Sequence, residues 1–243
     1  MKRILTEKDI HRGPLILVNA TYPLQEDIVY DNLEAYNASY PSIFLNKNMN
    51  QSLVCMINEL QAQKQIVPVS GYRTLAEQKK IYEDSIIENG IEFTKKYVAF
   101  PNTSEHQTGL AIDLGLNEKN IDFIRPSFPR RGISEKFRQL ASSFGFIERY
   151  MEDKENITKI SAEEWHFRFV GYPHAKWIKE HNLCLEEYIE RIKRQPIIYQ
   201  NYEISYIPYS GIKIVIELDA DDTVSGNNVD GFIVTRKIND DNK

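Results

Sequence analysis

The stretch Ser104-Glu105-His106-Gln107-Thr108-Gly109-Leu110-Ala111-Ile112-Asp113-Leu114 sets a histidine and an aspartate seven residues apart, across a glycine that lets the backbone turn. From Leu110 to Leu116 the chain is apolar apart from Asp113 and reads as a central strand. A lone carboxylate in such a strand is costly to bury unless it is paired or bound to a metal. Sixty residues after His106, the run Glu163-Glu164-Trp165-His166-Phe167-Arg168-Phe169 adds a second histidine with a carboxylate three positions before it. Two imidazoles and one carboxylate make up the protein half of an open zinc site, and the further glutamate is a candidate general base. Each segment alone would fit a histidine that merely hydrogen-bonds in a core; together they favour metal binding through His106, Asp113 and His166.

In the second run, strand alternation puts His166, Arg168 and Val170 on one face and Trp165, Phe167 and Phe169 on the other, which is expected to be core. Glu163 and His166 have opposite parity. Both can reach one metal only if the chain bends before the strand.

The order S-x-H-x6-D followed by E-x-W-H resembles the zinc D,D-peptidases of the vancomycin-resistance group: VanX, VanY and the bifunctional VanXY enzymes. The resemblance runs from about Leu15 to Tyr188. It takes in Ser70-Gly71-Tyr72-Arg73-Thr74 with Glu77-Gln78, Lys96-Tyr97-Val98-Ala99, Gly145-Phe146-Ile147 with Glu148-Arg149-Tyr150, and Val170-Gly171-Tyr172-Pro173-His174-Ala175. Within the group the VanXY type fits best, because no membrane anchor is evident.

The resemblance implies an α+β fold, a zinc D,D-peptidase domain with a central antiparallel sheet flanked by helices. It also implies a Zn2+ cofactor, Glu163 as base and Arg73 as the residue that steadies the oxyanion of the tetrahedral intermediate. Read without it, Arg73 would be a surface arginine paired with acidic neighbours. Ser104 and Gln78 match substrate-contact positions. Glu164 competes with Glu163 for the base role; Glu163 has the three-residue offset from His166 that the motif requires. The implied substrates are the D-Ala-D-Ala dipeptide and the end of the cell-wall pentapeptide precursor, whose removal would contribute to vancomycin resistance. Two other classes share these residues: a peptidoglycan endopeptidase cutting an L-Ala-D-Glu bond, and a non-catalytic zinc-stabilised domain. Open access on the amino side of the bond would allow both D,D activities, and that wall is expected in Met151–Ile160 and the 24–48 loop.

The bulk properties agree with a peptidase and exclude other classes. The 243 residues can bury roughly 70 % or more of the unfolded surface. An apolar fraction of 42 % and a charged fraction of 27 % describe an ordinary globular protein, and a net charge of −5 argues against a nucleic-acid partner, which needs a basic face. Cys55 and Cys184 have no C-x-x-C spacing and are expected to be buried, reduced thiols. The basic residues near Met1 precede no apolar segment of signal-peptide length, so a cytoplasmic location with no membrane anchor is expected.

Along the chain, residues 15–18 are expected to form a short buried strand and 24–48 a loop. The apolar spacing predicts a helix over about 50–64, and Ile66–Ser70 reads as a strand whose Pro68 suits a sheet edge. Thr74 and Glu77 form a capping box that starts a helix running to Asn89, ended by Gly90. Residues 94–108 are loop-rich. Ser134 is expected to cap a helix ended by Gly145, followed by a short strand at Phe146-Ile147 and a polar connection over 151–160. A last helix carries Leu185, Tyr188, Ile189 and Ile192 up to the Gln195-Pro196 break. His174 reads as a local hydrogen-bonder. The chain therefore divides into a catalytic domain, 1–195, and a C-terminal β-strand extension, 196–243. The extension has three expected strands and a turn at Ser225-Gly226-Asn227-Asn228; it would pack on the main domain or mediate homodimer contacts.

Overall fold

The structure is a computed structural model that describes residues 1–25 and 32–238. Strand β1 (Lys2–Leu5) is followed by a 3-10 helix, Glu7–His11, and further along by the hairpin β2 (Leu33–Asn37) and β3 (Tyr40–Asn46). Helix α1 (Lys47–Glu59) leads into β4 (Ile66–Ser70), α2 (Leu75–Asn89), α3 (Ile91–Tyr97) and β5 (Ala111–Leu116). Then come α4 (Gly132–Ala141), β6 (Phe146–Glu148), the short α5 (Glu155–Thr158), β7 (His166–Phe169), α6 (His174–Glu180) and α7 (Leu185–Arg194). Five strands follow among the described residues: β8 (Ile197–Tyr199), β9 (Tyr202–Pro208), β10 (Ile214–Glu217), β11 (Thr223–Gly226) and β12 (Gly231–Lys237).

One four-stranded sheet has the order β4-β5-β7-β6 with every pair antiparallel. Pro68, which has no N–H to donate, sits on the edge strand β4 as its chemistry requires. Register does the rest: Asp113 lies directly across from His166, and Ala111 from Arg168, so these side chains share one face. The opposite face presents Ile112, Leu114, Phe167 and Phe169 to Leu53, Met56 and Ile57 of α1 and to Phe137 and Ala141 of α4. Phe137 and Phe167 meet edge to face at 4.8 Å and are fully buried, each contributing about 1.5–3 kcal/mol through burial.

The closing strands form a second sheet, β11-β12-β9-β8, while β10 pairs with β1. Ile197, Ile204 and Ile233 of this sheet enter one buried cluster with Leu185, Ile189 and Ile192 of α7. His174 of α6 joins the same seam through Tyr188 Oη (2.6 Å from Nδ1) and Thr235 Oγ1 (3.1 Å from Nε2).

Several local expectations are corrected. Residues 15–18 are buried but form no strand: the Leu17 amide donates to Asn227 O, the Leu15 amide to Ser225 Oγ, and Asn228 Nδ2 to Leu17 O. Turn residues of the C-terminal sheet thus satisfy a backbone that would otherwise need a neighbouring strand. Within 24–48, residues 33–46 form a hairpin rather than a loop, because Asn37 Oδ1 accepts from the Ser39 and Tyr40 amides and closes the turn; residues 26–31 lie outside the described part. Helix α1 begins and ends earlier than the apolar spacing indicates, since Asn46 caps it through the Asn48 and Met49 amides. The 94–108 region contains α3 and a 3-10 turn, Glu105–Thr108. Ser134 lies inside α4, donating to Pro129 O and Arg131 O rather than capping it. The 151–160 connection is partly helical, α6 was not anticipated, and the described residues of the tail form five strands instead of three. Cys55 is exposed and Cys184 buried, both free thiols. Among the described residues no helix is long and apolar enough to cross a membrane.

Candidate metal centre and its pocket

Three elements bring the site together. β5 supplies Asp113, β7 supplies His166 at its first residue, and the 3-10 turn Glu105–Thr108 supplies His106. Gly109 ends that turn with φ 68°, and a Cβ there would lie 2.6 Å from Leu33 Cδ2, so the return into β5 needs glycine. The turn is docked on the segment after β4. The Arg73 amide donates to His106 O at 3.3 Å, and His106 Nδ1 lies 2.7 Å from Gly71 O.

That last contact fixes the imidazole. A carbonyl only accepts, so Nδ1 carries the proton and Nε2 keeps its electron pair for the centre. Nε2 is 3.1 Å from Asp113 Oδ2, and His166 Nδ1 is 3.0 Å from Asp113 Oδ1. One donor atom from each of the three residues falls within 4.8 Å of the others, and all three side chains are buried. The group can hold one metal ion. The bend demanded by the parity of Glu163 and His166 is present: Glu164 and Trp165 form a turn, and β7 starts only at His166.

Glu163 is buried in the pocket, with Oε2 3.7 Å from His166 Nδ1. Burial is the main influence on it and raises its carboxyl to about 8, against the pull of His166 and Arg73. Arg73 reaches the same centre, donating from Nη2 to Asp113 Oδ2 at 2.8 Å and from Nε to Ser70 Oγ at 2.8 Å. Burial, with help from Arg73, lowers His106 to about 4. Burial also opposes charge on His166, but its contacts with Asp113 and the nearby Glu105 prevail and raise it to about 9. Asp113 is buried too, yet the two imidazoles hold it well below the usual carboxylate range.

These groups line a cleft that opens to solvent, walled further by Tyr97, Val98, Phe123, Tyr150, Ile160 and Trp165. Ser104 is on this wall. Gln78 is fully buried behind Arg73, its Oε1 accepting from Arg73 Nη1 at 3.3 Å and its Nε2 donating to Ala99 O at 2.8 Å. Glu164 points away, to the surface near Arg130. Of the two segments expected to form the amino-side wall, 151–160 contributes Ile160.

Sequence reasoning overlooked three buried charged residues behind the site. Glu105 Oε1 accepts from Arg149 Nε (2.7 Å) and Arg168 Nη1 (2.8 Å), and Arg149 continues to Glu186 through both terminal nitrogens. Burial opposes the charge on Glu105, but the two arginines overcome it and hold the carboxyl well below its usual range. The signal available in the sequence was the alternation that puts Arg168 on the face of His166.

Residues 42–172 match the family model described as VanY, D-alanyl-D-alanine carboxypeptidase. The chain belongs to the VanY family of D-alanyl-D-alanine carboxypeptidases. It is 40 % identical over 175 residues to VanXYC of Enterococcus gallinarum, a bifunctional D-Ala-D-Ala dipeptidase and carboxypeptidase, covering 72 % of this chain and 92 % of that one. The crystal structure of the vancomycin-resistance D,D-dipeptidase VanXYg, in complex with a D-Ala-D-Ala phosphinate analogue, superposes with a TM-score of 0.92 at 46 % identity, covering 97 % of this chain and 98 % of that one. A VanY D,D-pentapeptidase from a VanB-type resistance cassette, solved in complex with Zn(II), gives a TM-score of 0.59 at 32 % identity over 72 % of this chain and 98 % of that one. The VanY-family chain is thus a peptidase with an α+β fold of the VanX/VanY type, and the non-catalytic alternative is set aside.

Proposed function

We propose that this VanY-family enzyme binds zinc through His106, Asp113 and His166, and that it hydrolyses both D-Ala-D-Ala and the terminal D-Ala bond of pentapeptide cell-wall precursors, contributing to vancomycin resistance. The observation that carries the reading is the buried His106–Asp113–His166 group at the floor of an open cleft, in a chain so similar along its length to VanXYg. The mixed nitrogen and oxygen donor set, with one imidazole already locked to present Nε2, fits zinc better than magnesium or calcium. When bound, zinc supplies Lewis acidity that makes water a competent nucleophile near neutral pH.

The chain's own residues do the rest. Glu163, inside the pocket and raised in pKa by burial, takes a proton from the attacking water and returns one to the leaving amine. Arg73, held by Ser70 and Gln78, directs its guanidinium at negative charge developing on the carbonyl oxygen of the scissile bond. Ser104 on the cleft wall contacts the D-Ala end of the substrate. The placement of Gln78 supports a role in orienting Arg73 in preference to direct substrate contact.

The division into a catalytic unit, 1–195, and a β extension, 196–243, belongs to the same proposal, supported by the separate sheet β11-β12-β9-β8 that the closing strands form. So does a cytoplasmic setting, where dipeptide and soluble precursor coexist; cell fractionation tests it. The test of function is D-alanine release from D-Ala-D-Ala and from the soluble pentapeptide precursor by one preparation. Activity on both is expected, and activity on only one would sink the dual assignment.

A further inference from the structure

Among the described residues, four buried side-chain polar atoms have no hydrogen-bond partner, and two of them face each other: Glu105 Oε2 and His166 Nε2, 3.5 Å apart. We propose that Glu105 is a positioning residue for the metal centre, accepting the Nε2 proton of His166 so that Nδ1 is presented to zinc. The inference rests on the zinc reading above and extends it to a residue outside the ligand set.

The argument is one of proton placement. His166 turns Nδ1 toward Asp113 Oδ1 and Glu163 Oε2, so Nδ1 is its ligating atom. A metal on Nδ1 requires the proton of the neutral ring to sit on Nε2. There, among the described residues, the facing acceptor is Oε2 of Glu105, a carboxylate whose other oxygen is already taken by Arg149 and Arg168. Neither arginine is free to turn to Oε2. Arg149 is committed to Glu186, and Arg168 to Pro14 O, Ile16 O and Phe169 O. The two carboxylates and two guanidiniums of Glu105, Arg149, Arg168 and Glu186 balance in charge, so the cluster can keep an ionised carboxylate in a buried place. A carboxylate on the far nitrogen of a ligating imidazole fixes ring orientation and raises ligand basicity. His106 has Gly71 O in the same role, a neutral acceptor where His166 has a charged one.

The test compares Glu105→Gln with Glu186→Gln, which removes a charge from the same cluster without touching His166. Zinc affinity is measured by competition with a chromophoric chelator, the ligand field by the absorption of the cobalt(II)-substituted protein, and folding by thermal melting of the metal-free form. We expect Glu105→Gln to bind zinc about 10- to 100-fold more weakly, with a shifted cobalt spectrum, and Glu186→Gln to match the wild type in both. Unchanged affinity in Glu105→Gln, or an equal loss in Glu186→Gln, would overturn the proposal in favour of a purely structural cluster. If Glu105→Gln does not fold, Glu105→Asp decides. It keeps the charge but withdraws Oε2 from His166, and wild-type zinc affinity there would overturn the proposal. A wild-type protein that binds no zinc would sink the zinc reading itself, a result distinct from any of these.

Discussion

The carboxyl groups of Glu163 and Glu164 leave the chain in opposite directions. Glu163 Oε2 lies 3.7 Å from His166 Nδ1 inside the pocket, whereas Glu164 Oε1 lies 3.6 Å from Arg130 Nε, with about half of each surface side chain exposed. Only one of the two neighbours can therefore reach the reacting bond. Replacing Glu163 with Ala should lower turnover by roughly 100-fold or more while zinc is retained, the scale of a general acid–base contribution. Glu164→Ala should be mild, because it removes an exposed ion pair. Steady-state kinetics with metal analysis decides, and a reversed pattern would make Glu164 the base.

Arg73 gives a second test. Its side chain is 13 % exposed, and its guanidinium is aimed at the metal centre from the segment between β4 and α2. At saturating zinc, Arg73→Ala should lower kcat by roughly 100- to 1000-fold, as loss of an oxyanion donor does. Lysine should rescue only in part, since one ammonium cannot serve Ser70, Gln78 and Asp113 as the planar fork does. An effect confined to KM would instead assign Arg73 to ground-state carboxylate binding.

Much of this site was legible in the sequence because its parts obey local rules. The β5 strand, the capping box of Thr74 and Glu77 and the alternation of β7 each follow from a few neighbouring residues, and the structure has all three; Gly90 does end α2 at positive φ, but with ψ 161° it is extended and not the left-handed cap expected of it. What escaped notice depends on distant partners. Leu15–Val18 looks like a strand by composition, yet its backbone is satisfied by Asn227, Asn228 and Ser225, some 200 residues away. Glu105 is unremarkable in sequence, and only folding brings Arg149 and Arg168 to it. Gln78 sits on the predicted helix, but whether it faced substrate or Arg73 was a matter of tertiary packing.

Acid stability should report on His174. Burial lowers this imidazole from its ordinary value of 6.5 to about 3. The unfolded chain takes up a proton near 6.5 that the folded chain refuses until about 3. The contribution is therefore intact above pH 6.5 and is lost progressively as pH falls toward 3. Melting temperatures of zinc-loaded wild type and His174→Gln, measured from pH 7 to 4, should converge as the pH drops, the wild type falling more steeply. Parallel curves would contradict this.

The β extension should be part of the folded body. Ile204 is fully buried with Leu185 and Ile189 of α7, so Ile204→Ala should cost about 2–5 kcal/mol in denaturant unfolding. Ile198, 64 % exposed one strand away, provides the control, with an expected change within about 0.5 kcal/mol. Equal, small effects would mean that the extension is only loosely attached.

The central claim is that His106, Asp113 and His166 hold the metal on which peptide cleavage depends. The most direct measurement titrates zinc into chelator-stripped protein while following D-alanine release from D-Ala-D-Ala. We predict no turnover at the start and a linear rise that ends near one zinc per chain, with His166→Ala failing to recover at the same zinc concentration. Full D-alanine release by demonstrably metal-free protein would contradict the account.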